Sequence, residues 1–161
     1  GGGQENKIRS GTENLPAIVG FAKAVELSKK IDFHKIKTLR DFFIDNVLKI
    51  EGTTLNGSLT NRLCNNINVS FAGIEGESII SFLDIAGVCC STGSACSSKS
   101  LDPSHVLIAI EDNPERAHGS VRFTLSKDTT KDELIFTLEK LNLAVGKLRS
   151  YSPLIKEEKN V

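Results

Sequence analysis

The chain has 161 residues, 39% of them hydrophobic and 25% charged. That is enough for one domain with a real core and too few for two of ordinary size. Twenty basic residues balance twenty acidic ones, so neither a nucleic-acid nor a membrane-surface partner is expected on electrostatic grounds. No apolar run approaches a membrane span and no secretory leader pattern opens the chain, which makes the cytoplasm the expected compartment. The sequence starts with GGG and contains no methionine. It opens like the middle of a turn, and a cleaved or truncated piece, or an expression remnant, is the expectation.

Residues 1–14, GGGQENKIRSGTEN, are glycine-rich and polar, a loop leading into a helix. Asn14 is placed to cap it and Pro16 falls in the first turn, where a missing N–H costs nothing. Ile18, Ala22 and Val25 recur at helical spacing, which predicts a helix over about 15–30. Arg9, Ser10, Gly11 and Thr12 stand just before that helix. Free amides, the helix dipole and hydroxyls there suit an anion, above all a phosphate. An ordinary capped helix start explains the same residues, and the spacing is not that of a nucleotide-triphosphate loop.

A second helix is predicted over about 34–49, with Ile36, Leu39, Phe43 and Val47 on one face. EGTTLNGS closes it with a turn and room for a short strand. In NNINVSF (65–71), Ile67, Val69 and Phe71 alternate as in a half-buried strand. GESIISFLDIAG (76–87) reads as a helix stopped by Gly87, and VCC (88–90) as a brief strand. Asp102 and Pro103 begin a helix whose body is SHVLIAI. SVRFTL puts Val121, Phe123 and Leu125 on one face of a strand and Arg122 and Thr124 on the other. Leu134, Leu138, Leu141, Val145 and Leu148 mark a last helix. Helices interleave with short strands, so the expected class is α/β, two layers with a small mixed sheet.

Four cysteines, Cys64, Cys89, Cys90 and Cys96, are too few for a disulfide scaffold and lack the paired spacing of a structural zinc site. Cys89 and Cys90 sit in a strand-like context and read as core, and Cys64 as structural. Cys96 differs. A cysteine is ordinarily a small buried hydrophobe, yet STGSACSSKS offers this one no bulky neighbour and is built for an exposed loop. Such a thiol is available as a nucleophile, and Lys99 is a charge able to lower its pKa. Arg122 is either a surface charge or a bidentate carboxylate clamp. His105 and His118, lone histidines near helix ends, read as structural.

Taken in order, GGGQENKIRSGTENLPAIVGFAKA, INVSF, EGESII, STGSACSS, DPSHVL and AHGSVRFTLSKDTT closely resemble the cysteine desulfurases, pyridoxal-phosphate enzymes that supply sulfur for iron–sulfur cluster assembly. The resemblance runs from residue 1 to about 154 and covers only the C-terminal part of such an enzyme. It implies the small C-terminal domain of a fold-type I pyridoxal-phosphate transferase over 15–161, carrying a mobile cysteine loop at 91–100. Residues 1–14 would be a remnant of the large cofactor-binding domain.

The same resemblance implies that Cys96 takes sulfur from L-cysteine as a persulfide, leaving L-alanine. It implies that Thr12 reaches the cofactor phosphate across a homodimer interface near residues 5–14, and that Arg122 binds the substrate carboxylate. The sulfur acceptor would be an iron–sulfur scaffold protein. The lysine that carries the cofactor lies upstream in the family, so this chain alone is expected to be inactive without a missing N-terminal half or a separate cofactor-binding chain. Gln4, where many members have histidine, and Ser126, where glycine is common, depart from the pattern without touching that chemistry. A non-catalytic sulfur-relay or scaffold-docking module presenting Cys96 is the competing expectation. Selenocysteine as substrate and a redox-sensing thiol are further ones.

Overall fold

A computed structural model describes residues 2–92 and 103–151. The chain divides into two compact units, Gly1–Asp32 and Phe33–Val161.

The first unit holds a tight left-handed turn at Glu5–Lys7, with φ of 53°, 54° and 64° at Glu5, Asn6 and Lys7, followed by helix α1, Leu15–Ser28. Asn14 caps α1 as expected, accepting a hydrogen bond from the Ala17 amide at 3.2 Å. No residue of α1 is buried, and Phe21 is 73% exposed. The apolar spacing that predicts this helix finds no covering layer among the described residues of its own unit.

The second unit runs α2 (Phe33–Val47), β1 (Thr53–Leu55), β2 (Asn66–Phe71), α3 (Gly76–Ile85), α4 (His105–Ile110), α5 (Pro114–His118), β3 (Ser120–Thr124) and α6 (Lys131–Tyr151). The strands form one sheet in the order β1-β2-β3. Both pairings are antiparallel, so the sheet is not mixed as expected. The short link from Leu55 to Asn66 suffices to reverse the chain between β1 and β2, as antiparallel neighbours allow and parallel ones do not. Residues 88–90 form no strand either. A single antiparallel bridge joins Ser91 to Arg122 on the free edge of β3.

In register, Ile67 lies opposite Phe123 and Val69 opposite Val121. These four side chains and Phe71 are buried with Ile36, Phe43, Ile44 and Val47 of α2, Ile79 and Leu83 of α3, and Leu134, Leu141 and Val145 of α6. The Phe43 and Phe123 rings meet at 5.0 Å, tilted by 51°. Along α6 the buried stripe passes through Thr137 and Ala144, while Leu138 and Leu148 are only half-buried.

Two glycines let the layers close. A Cβ on Gly76, at the start of α3, would come within 2.3 Å of the Ser120 carbonyl oxygen, and one on Gly119 within 2.6 Å of that of Phe71. Gly87, at φ 80°, ends α3 as expected. The Val88 amide donates to the Leu83 carbonyl at 2.9 Å and that of Gly87 to Asp84 at 2.8 Å, the paired closure of a left-handed helix end.

Candidate functional site

The pleat that buries Ile67, Val69 and Phe71 turns Asn66, Asn68 and Ser70 to the opposite face, where Arg122 and Thr124 join them from β3. Asparagine is disfavoured in strands, and here it is held by hydrogen bonds. The buried Asn56 amide donates to Asn68 Oδ1 at 2.6 Å and to Ser70 Oγ at 2.7 Å. A cleft of about 510 Å³ opens on this face, lined among others by Asn56, Arg62, Asn66, Asn68, Ser104 and Arg122. Arg62 braces its rim, donating to the carbonyls of Asn56 at 2.5 Å and Ser58 at 2.7 Å. Burial first, and then the nearby Arg40, lower the pKa of its guanidinium.

Arg122 is exposed, lies opposite Asn68, and donates from Nη2 to Ser91 Oγ at 2.9 Å. Arg40 and Arg116 each pair with a carboxylate, Asp41 and Glu111 respectively. Arg122 pairs with none among the described residues. An unneutralised guanidinium at the mouth of an amide-lined cleft is equipped to take an incoming carboxylate.

Cys96 and Lys99 lie outside the described residues. Cys89 and Cys90, expected in the core, are instead exposed and half-buried, because the chain leaving Gly87 joins the sheet only at Ser91. Burial, with Cys89 and Asp84 adding to it, pushes the Cys90 thiol up to about 11, so it is protonated at neutral pH and a poor nucleophile. Cys64 is half-buried. Cys89 lines a second cleft, of about 590 Å³, with Phe43, Phe123, Phe136, Asp132 and Glu133.

Thr12 is exposed in the first unit. The helix amides invoked for an anion site there are already used. Leu15 donates to the Glu13 carbonyl, Ala17 to the Asn14 side chain and Ile18 to the Asn14 carbonyl, and Pro16 has none to give. Ser10 donates to the Gly2 carbonyl at 2.6 Å. The Thr12 hydroxyl and the Arg9 guanidinium are the side chains there whose chemistry suits an anion. His105 is exposed at the start of α4, and His118 half-buried at the end of α5.

Sequence reasoning singled out Arg122, which lines this cleft, but not Ser91 or the Asn56–Asn68–Ser70 cluster. The alternating asparagines of NNINVSF were the available signal.

Residues 2–135 match the Aminotransferase class-V family, and the chain belongs to it. Within that class its resemblance is narrower. It is 53% identical over 157 residues to cysteine desulfurase IscS 1 of Archaeoglobus fulgidus, covering 96% of this chain and 41% of the relative. Against cysteine desulfurase IscS of Dictyoglomus turgidum it is 53% identical over 165 residues, covering 99% and 41%. Among solved structures, a NifS-like protein from Rickettsia africae superposes with a TM-score of 0.78 at 28% identity, over 91% of this chain and 39% of that one. A second NifS-like protein gives 0.75 at 31% identity, over 92% and 38%. The fold is thus that of part of a NifS-like protein. The chain spans about two-fifths of the length of the curated relatives it matches.

Proposed function

We propose that the chain is the substrate- and sulfur-handling portion of a cysteine desulfurase. The observation that carries this reading is Arg122, a guanidinium with no carboxylate partner among the described residues, at a polar cleft, in a chain 53% identical to relatives named cysteine desulfurase IscS. Arg122 clamps the carboxylate of L-cysteine through paired N–H donors. The Cys96 thiolate attacks the sulfur of that substrate, forming an S–S bond as the carbon–sulfur bond breaks. The electron pair stays with the carbon, which takes a proton and leaves as L-alanine, and Cys96 holds the persulfide. An iron–sulfur scaffold protein then accepts the outer sulfur.

Pyridoxal phosphate, when bound, supplies the electron sink that makes this cleavage accessible. Within this chain the exposed Thr12 hydroxyl suits one phosphate oxygen, reached across a homodimer interface near residues 5–14. Residues 1–14 are read as the end of the large cofactor-binding domain and 15–161 as the small domain with its cysteine loop at 91–100. α1, which groups with the N-terminal residues, is then the connecting element. The lysine that carries the cofactor belongs to the portion this chain does not span, so the isolated chain is inactive, and the enzyme works in the cytoplasm. No helix among the described residues is long and apolar enough to cross a membrane.

Cys96→Ser in the assembled enzyme abolishes persulfide formation and alanine release, and undiminished sulfur transfer by that variant would overturn the reading. The limited span of the relatives favours one alternative, a relay or scaffold-docking module. It requires Cys96 to load persulfide from an outside donor with no cofactor present, which mass spectrometry of the isolated chain decides.

A further inference from the structure

Arg122 is held by one residue through three hydrogen bonds. The Ser91 amide donates to the Arg122 carbonyl at 3.1 Å, the Arg122 amide donates to the Ser91 carbonyl at 2.7 Å, and Arg122 Nη2 donates to Ser91 Oγ at 2.9 Å. Main chain and side chain of the arginine are thus referred to the same short stretch, and that stretch is itself fixed at its start by the helix closure at Gly87. The other strand beside Arg122 is β2, with Asn68 directly opposite.

We propose that Ser91 is the positioning residue for carboxylate recognition, aiming the Arg122 guanidinium into the amide-lined cleft, a role that rests on the reading of Arg122 as the carboxylate clamp. Arginine has several freely rotating side-chain bonds, and an exposed one spreads over many rotamers. A clamp that must meet a planar carboxylate with two parallel N–H groups gains from being held in one of them. A guanidinium carries five N–H donors. Ser91 occupies one, and four remain, enough for a bidentate carboxylate contact.

The choice of a hydroxyl has its own logic. Asp41 and Glu111 fix Arg40 and Arg116 by neutralising them, which suits arginines with structural tasks. A serine oxygen fixes geometry and leaves the positive charge for the ligand. Ser91 is half-buried, and its backbone pairing with Arg122 places its hydroxyl within reach of the guanidinium.

The test is made in the complete pyridoxal-phosphate enzyme. S91A is expected to raise KM for L-cysteine about three- to tenfold with kcat within about twofold, the loss of one neutral-acceptor hydrogen bond to a charged group. S91T, which keeps the oxygen, restores KM to within about twofold. Calorimetry with L-alanine and L-alaninamide separates positioning from general loosening. The affinity for L-alanine falls by the same factor as KM rises, while that for the amide, which has no carboxylate, is unchanged. S91D, which would neutralise the clamp, weakens L-alanine further than S91A. Equal losses for both ligands, or an unchanged KM in S91A, overturn the proposal. R122A tells which layer failed. If it also leaves KM and L-alanine binding unchanged, the clamp reading falls and takes Ser91 with it. If R122A loses carboxylate recognition and S91A does not, only the positioning role is wrong.

Discussion

The two faces of strands β2 and β3 are made by alternate residues of the same ten or so positions, yet they do opposite work. Ile67, Val69, Phe71, Val121 and Phe123 face α2, α3 and α6 and are buried. Asn66, Asn68 and Arg122, one residue out of phase, face a cleft. The first face is fixed by packing, where every methylene counts. The second is fixed by hydrogen bonds that Asn56 donates to Asn68 and Ser70 and that Arg122 donates to Ser91. The lesson is that a strand can carry a binding site without lending its stability to it, because a two-residue period keeps the ledger of each face separate.

Substitutions on each face test that separation. On the apolar side, Phe123→Ala removes a ring packed against that of Phe43 and costs about 3–5 kcal/mol of stability in denaturant titration. A loss under about 1 kcal/mol would show that the helical layer is not packed on the sheet as described. On the polar side the largest effect comes from Asn56→Ala. It strips two bonds from a buried cluster and costs about 1–3 kcal/mol.

Next is the helix that covers the apolar face, which starts with a reciprocal cap. The Thr130 amide and hydroxyl donate to Glu133 Oε2 at 2.8 and 3.0 Å, and the Glu133 amide returns a bond to Thr130 Oγ1 at 3.3 Å. Thr130→Ala costs about 0.5–2 kcal/mol. The bonds from the Thr130 backbone and then from its hydroxyl hold the Glu133 carboxyl below its usual range. This contribution is therefore complete above the unfolded carboxyl pKa and is lost as pH falls through the lower folded value. As pH falls below the unfolded carboxyl pKa, stability should drop less steeply in Thr130→Ala than in the parent.

The smallest effect on stability is the most telling. Arg122→Lys, exposed and free of ion pairs among the described residues, should change folding by no more than about 0.5 kcal/mol. It nevertheless loses the bidentate fork, so a chain that folds normally but discriminates poorly between L-alanine and L-alaninamide is the expected result. A large folding defect in Arg122→Lys would break the separation of the two faces.

Much of the apolar face was legible in the sequence, because Ile67, Val69, Phe71, Val121 and Phe123 alternate and burial follows alternation. The helix ends at Asn14 and Gly87 were legible for the same local reason, since caps are written in one or two residues. Arg40 was not. It sits almost fully buried in the stripe of α2, with its guanidinium donating to the carbonyls of Arg62 and Leu63, and no pattern of apolar spacing announces a charged residue in a core. Nor could periodicity show that α1 and α6, both apolar along a stripe, meet such different fates. α6 covers the sheet, whereas α1 has no covering layer among the described residues of its own unit. The polar face stayed hidden because its partners come from distant segments. Ser91 is 31 residues from Arg122, and Asn56 is 12 from Asn68.

Gly76 and Gly119 add a caution for anyone who maps this protein by random mutagenesis. Each faces a carbonyl oxygen of another segment at a distance no side chain can share, so nearly every replacement at either position will be purged in a screen scored by growth or turnover. Ranked by intolerance alone, the two would stand beside Arg122, the proposed carboxylate clamp, although neither has a side chain to offer a ligand. A companion screen for soluble, folded protein would sort them at once. The glycines would fail both assays, and the arginine only one.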